Sequence, residues 1–283
     1  MGKKQWILAI AGLIVVAAIY AFGERVAQTG QAPAVKMATN GAKMSESQGR
    51  LVSFDEILTK AKKSIPSDAQ LRVTQLENNI TRGDLSRQKI RAYNELAKVW
   101  DSLGHSSIAA YYKGEQGKLE NSEKTLTFAA YLLLTRQEST TDPSISKWEL
   151  SKAKSFLMSA KELNPQSDSV KVGLAKVDVA SGSVMKGVQR LLEVVKHDPK
   201  NIAANMTLGR MSITSAQFMK AVKRLEVVVD QQPHNVEALY YLAEAYKNTG
   251  DKEKAIALFN KCKDLVHDSG FDQEIDDYIN SFK

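Results

Sequence analysis

Cysteine is almost missing from this chain. Cys262 is the one thiol in 283 residues, so an internal disulfide framework is excluded. An oxidising compartment is not, because a chain that works there can simply avoid thiols. Histidine is scarce as well. His105, His197, His234 and His267 each fall at or near a turn between predicted helices. No two share a helical face, and with a single cysteine they make no zinc set. Glycine-rich phosphate loops are absent, and no nucleophile–base or paired-carboxylate pattern stands out. The expectation is a protein that is not an enzyme and has no metal and no cofactor. Cys262 stands where neighbouring segments carry Val194 and Val228. It therefore reads as a small packing residue whose thiol stays protonated in apolar surroundings.

Nor is there a strong field of one sign. The formal net charge of +7 is uneven. Residues 1–50 hold six bases (Lys3, Lys4, Arg25, Lys36, Lys43, Arg50) against Glu24 and Glu46, which gives +4. Residues 51–84 balance five against five, so the remaining chain carries +3. A basic total concentrated at one end is not the footprint of a nucleic-acid binder.

One long apolar run is present. Residues 6–22, WILAIAGLIVVAAIYAF, contain no charge and lie between Lys3-Lys4 and Glu24-Arg25. A bilayer core of ~30 Å needs roughly 17–25 such residues in helix. Trp6 and Tyr20 fall near the ends of the run, where amphipathic rings favour the interface, and the leading lysines predict an N-terminus held inside. The core is longer than that of a cleaved signal peptide. Ile19-Tyr20-Ala21 also makes a poor cleavage site, because Ile occupies a position that wants a small side chain. No cysteine follows for lipidation, and Trp6 stands where a myristoylation site needs Ser or Thr. Residues 1–5 are thus expected inside, 6–22 as a retained transmembrane anchor, and 23–50 as a small, polar, flexible linker.

The strongest signal is a period. Asn164-Pro165, Asp198-Pro199 and Gln232-Pro233 fall 34 residues apart, and the residues between them repeat with the same step. Leu208-Gly209 overlays Leu242-Ala243, Ala221 overlays Ala255, Leu225 overlays Phe259, and Val228 overlays Cys262. A fixed period of this length marks a solenoid of helix pairs. Ahead of it, Ser53 and Ser67 can each open a helix, with Pro66 between them. Residues 51–84 are therefore expected as a hairpin capping the first end of the stack. After Gly270, the residues Phe271, Ile275, Tyr278, Ile279 and Phe282 form one stripe with acids elsewhere. Residues 270–283 thus read as a polar-backed capping helix. Phe271, Tyr278 and Phe282 would also offer a surface for homo-oligomers.

Around Tyr93, Leu96-Ala97, Trp100, Gly104, Ile108-Ala109 and Tyr112, and most fully around Leu242-Ala243, Tyr246, Gly250, Ala255 and Phe259, the pattern resembles the tetratricopeptide repeat. The resemblance covers about 90–269 and implies an all-α, right-handed superhelical solenoid over 85–269. Five units are counted, starting near Ile90, Glu123, Asp168, Ile202 and Val236. The second carries an excess of about 11 residues around 139–146, which reads as an insertion on the surface with Trp148 after it. In such repeats the first helix of each unit lines a concave groove. The overlay then places Asn94 and Lys98, Thr127 and Tyr131, Val172 and Lys176, Met206 and Arg210, and Tyr240 and Glu244 in that groove. The expected peptide-binding set is Lys98, Tyr131, Val172, Lys176, Met206, Arg210, Tyr240 and Glu244, a mixed apolar and basic surface suited to a carboxylate-bearing protein or peptide segment.

The layout as a whole resembles bacterial inner-membrane proteins whose repeat domain faces the periplasm. Eukaryotic organellar receptors share it. The resemblance implies a membrane-anchored adaptor or scaffold. The alternative is a periplasmic chaperone or maturation factor that holds client polypeptides, as in cytochrome c assembly.

Overall fold

The computed structural model of the chain describes residues 52–82 and 86–282. The expected anchor 6–22 and linker 23–50 lie outside them. Among the described residues no helix is long and apolar enough to cross a membrane. The described residues form thirteen helices and no strand. Contacts group the chain into two units, one spanning Gly49–Leu265 and one that includes Val266–Lys283.

The larger unit runs α1 (Phe54–Lys62), α2 (Ser67–Arg82), α3 (Ser86–Ser102), α4 (Ser106–Glu120), α5 (Glu123–Ser139), α6 (Pro143–Leu163), α7 (Asp168–Ala180), α8 (Val184–His197), α9 (Ile202–Thr214), α10 (Phe218–Gln231), α11 (Val236–Thr249) and α12 (Lys252–Val266). From α2 to α11, successive helices pack on one another. That is how a one-dimensional stack buries a continuous core.

The period has a local cause. Each proline ends a helix because it cannot continue the hydrogen-bond ladder. Two residues further on, a short polar side chain opens the next helix. Ser167 accepts from the Val170 N–H, Asn201 from Ala204 and Asn235 from Ala238, at 3.0–3.3 Å. Each such cap is worth ~1 kcal/mol. At the other turn of each unit the backbone crosses into the left-handed region at Gly182 (φ +82°), Ala216 (φ +56°) and Gly250 (φ +91°), again one period apart. Glycine tolerates that conformation; Ala216 carries a Cβ that does not.

Buried residues repeat in step. Leu157, Leu191, Leu225 and Phe259 are fully buried, as are Ala160, Val194, Val228 and Cys262. At Gly209 a Cβ would lie 2.7 Å from the Leu225 side chain, so only glycine lets α9 and α10 approach this closely. Cys262 packs with its sulfur 3.7 Å from the Val236 carbonyl, and burial pushes its thiol up to about 12.

The front of the stack departs from expectation at the expected insertion. The excess near 139–146 is not a loop. It is taken up as helix, with α5 and α6 running to 17 and 21 residues and only Thr140–Asp142 between them. Asp142 caps α6 by accepting from the Ser144 and Ile145 N–H groups, with Pro143 in the first turn. Trp148 is buried in the core and exposes 3% of its surface. The N-terminal hairpin holds together: Lys62 of α1 pairs with Glu77 of α2, and Ala61, Ile65 and Val73 share one core cluster. Helix α2 also packs on α3, and α1 reaches α4 and α6. Phe54 stacks on Tyr111 at 3.7 Å between ring centroids and sits 6.0 Å from Trp148. Ser53 and Glu56 close a capping box at the start of α1, which fixes where Phe54 enters that cluster.

In the second unit, α13 (Ser269–Asn280) opens at Asp268, which accepts from the Phe271 N–H. It buries Phe271, Ile275 and Ile279. Phe271 is therefore not available for self-association as expected.

Candidate functional site

The first helices of successive pairs touch in series, α5 to α7, α7 to α9 and α9 to α11. Their outward side chains thus share one face. On it four side chains form two cation–ring pairs. Lys176 Nζ lies 5.3 Å from the Tyr131 ring centroid, and the Arg210 guanidinium lies 5.5 Å from the Tyr241 ring. Each pair bridges neighbouring first helices, α5 with α7 and α9 with α11. The Tyr131 hydroxyl donates to the Ser169 carbonyl at 3.0 Å, which fixes the ring over α7. A Cβ at position 173 would stand 2.6 Å from the Leu157 side chain, so Gly173 lets that side chain pack against α7.

The two cations differ. Arg210 is bracketed by Glu237 at 3.5 Å and Glu138 at 4.0 Å. Burial works against its charge, but Tyr241, Glu138 and Glu237 outweigh that and raise its pKa. Lys176 has no carboxylate within 4 Å among the described residues. Burial lowers its pKa, Arg210 lowers it further, and the more distant Glu138 and Glu237 only partly oppose this. Burial pushes both rings the other way: Tyr131 well above the ordinary phenol range, and Tyr241 up to about 12. A half-buried ammonium with an aromatic wall and no counter-ion can accept an anionic group from outside.

Of the eight expected groove residues, the structure brings Tyr131, Lys176 and Arg210 together. Met206 lies half-buried one turn before Arg210 on α9. The rest stand elsewhere. Val172 is fully buried and packs with Ala175, Leu191 and Leu208. Tyr240 is buried too, its ring edge-on to Phe259 at 5.4 Å and to Tyr241 at 6.1 Å. Both are core, because adjacent helical positions are about 100° apart and these two turn inward toward the second helices. Glu244 is mostly covered and pairs with Lys247 on its own helix at 3.1 Å. Lys98 is exposed on α3 and pairs with Glu95 at 2.8 Å. Of the supporting pairs, Thr127 is buried and donates to Glu123, and Asn94 accepts from Lys113 of α4.

Three members of the site were not anticipated: Tyr241, Glu138 and Glu237. The repeated tyrosine in Tyr240-Tyr241 carried the signal that one ring faces each way. Glu138 was hidden because it lies just before the expected insertion at 139–146, on the helical turn that the surplus residues add to α5.

Residues 212–268 match the tetratricopeptide-repeat family model. That stretch runs from the end of α9 past α12, and contains the Tyr241 end of the site. Some solved structures are similar to parts of the chain, all at low identity. YrrB, described as a TPR protein with an unusual peptide-binding site, is 16% identical, with 72% of this chain and 96% of that one covered at a TM-score of 0.39. MamA is 15% identical over 63% and 92% at 0.43, and a MamA double mutant is 21% identical over 54% and 83% at 0.42. No curated protein sequence matches the chain.

Proposed function

We propose that the chain is a non-enzymatic adaptor that binds another protein on the face of its first helices, with a partner carboxylate received by Lys176. The observation that carries this reading is the contrast between the two cations: Arg210 is already matched by Glu138 and Glu237, whereas Lys176 is held against Tyr131 without a counter-charge. The apolar run at 6–22 and its flanking lysines support a single-pass anchor in a bacterial inner membrane. The repeat domain then stands in the periplasm on the 23–50 linker, with the membrane raising the local concentration of partners. A right-handed superhelical course of the stack belongs to the same reading.

The test is retention of capped-N-terminus peptide pools by the full-length chain, one pool ending in a free carboxylate and one in an amide. The free-carboxylate pool is expected to be retained and the amide pool not. The Lys176→Glu, Arg210→Glu double variant is expected to lose that retention with its helical circular dichroism unchanged. Equal retention by the double variant would remove the reading.

A second reading, a chaperone or maturation factor for client polypeptides, is favoured by one observation. Met185 and Met219 stand one period apart and are 71% and 61% exposed. Such adaptable side chains suit varied apolar clients. Binding of many unfolded chains with similar weak affinity, lost on replacing both methionines with glutamate, would support it over the adaptor.

A further inference from the structure

A cleft of about 330 Å³ opens between α10, α11 and α12, lined by Glu226, Val229, Asp230, Leu242, Tyr246, Lys254, Ala257 and Leu258. It is built on the second helices α10 and α12 and shares no residue with the site at Lys176. Its floor is apolar, and its polar groups are predominantly acidic. The Tyr246 hydroxyl donates to Glu226 Oε1 at 2.6 Å, which orients that carboxylate. Asp230 stands one helical turn further along α10. Lys254 is held by Asp251 at 2.7 Å and lies over the Tyr246 ring at 4.8 Å, so its charge is already matched. The Tyr246 phenol is pushed up to about 12 by burial, by its bond to Glu226, and by the negative charges of Asp251 and Asp230.

This chemistry does not come with the repeat. The same positions one period earlier are Leu192, Val195, Lys196, Leu208, Ser212, Leu-flanking Arg224, Lys220 and Lys223. There the carboxylates are replaced by Leu192 and Lys196, the tyrosine by a serine, and Ala257 and Leu258 by bases. The acidic rim over an apolar floor is thus not repeated one period earlier.

We infer that this cleft is a second docking surface, for a protein segment that pairs an arginine or lysine with a neighbouring aliphatic side chain. The cation meets Glu226 and Asp230 while the aliphatic group covers Val229, Leu242 and Leu258. Such a partner is opposite in charge to the one received at Lys176, so one chain can hold two different segments at once. The inference does not depend on the reading of the first face.

The experiment uses the full-length chain in mild detergent and two pools of end-capped hexapeptides. Both fix one leucine; one fixes an adjacent arginine and the other a glutamate in its place. The arginine pool is expected to be retained at low salt and the glutamate pool not. Glu226→Lys with Asp230→Lys, both exposed helix positions, is expected to weaken retention about tenfold or more. Tyr246→Phe, which keeps the ring and frees the carboxylate, is expected to weaken it less. The Lys176→Glu, Arg210→Glu variant is expected to leave it unchanged, which separates failure here from failure of the first face. No retention of the arginine pool, or equal retention by the double variant, overturns the assignment. Self-association of the wild-type chain that the double variant abolishes would make a second copy the occupant, and would overturn it too.

Discussion

The rear of the stack, α7 to α12, and the front, α1 to α6, solve the same packing problem by different means. In the rear many buried positions recur one period later with a similar residue, as Leu157, Leu191, Leu225 and Phe259 do, and small residues set the helix spacing. In the front the core includes an aromatic cluster with no counterpart in the period. Phe54, Tyr111, Trp148 and Phe156 lie within 6.3 Å of a neighbouring ring centroid. That cluster joins helices far apart in sequence. Beside it Glu149 is fully buried, with one oxygen accepting from Ser107 at 2.5 Å. A periodic core spreads its stability evenly, whereas a clustered one concentrates it in a few large side chains.

This difference can be broken by mutation. Trp148→Ala is expected to cost ~3–5 kcal/mol, as for a buried large aromatic. Because the stack is coupled mainly between neighbours, hydrogen exchange should rise first across α1, α4 and α6 and leave α9 to α12 protected. Uniform loss of protection would show that the two halves are not energetically separable. Leu225→Ala is the matching change in the rear, at ~2–5 kcal/mol, with the exposure confined to α9, α10 and their neighbours.

A smaller pair of changes sharpens the picture of the rear turns. Gly250→Ala places a Cβ at φ +91° and should cost ~1 kcal/mol. Ala216→Gly relieves the same strain one period earlier and should be neutral to stabilising by a few tenths of a kcal/mol, since the gain is offset by the freer unfolded chain. Thermal melts of both variants decide the sign.

The smallest effect concerns Lys176. Its pKa is lowered from 10.5 in the folded chain, so the folded state binds fewer protons than the unfolded one and stability rises with pH between the two values. Lys176→Met is expected to be slightly more stable than the parent at neutral pH, on the order of 0.5 kcal/mol for so partly exposed a group. The gain should fade above pH 10.5. A gain that persists in strong alkali would place its origin in packing and not in charge.

The rear was legible from sequence because its regularity is itself the signal: prolines, caps and left-handed turn residues recur at one spacing, and each has a local cause. The front was less so. A count of surplus residues near 139–146 does not say whether they loop out or extend the helices on either side, and the docking of Phe54 on Tyr111 spans more than fifty positions. The site was half legible for the same reason. Lys176 and Arg210 follow from the period, but their partners come from other helices, and the inward turn of Val172 and Tyr240 depends on how each helix is rotated about its axis.

The lengthened pair has one more effect. With 17 residues against 13 in α7 and α9, α5 runs about a turn further than its neighbours, and that extra turn carries Glu138 toward Arg210. Shorten it, and the guanidinium would keep Glu237 alone, narrowing its contrast with Lys176. What looks like spare chain therefore sets how fully Arg210 is neutralised.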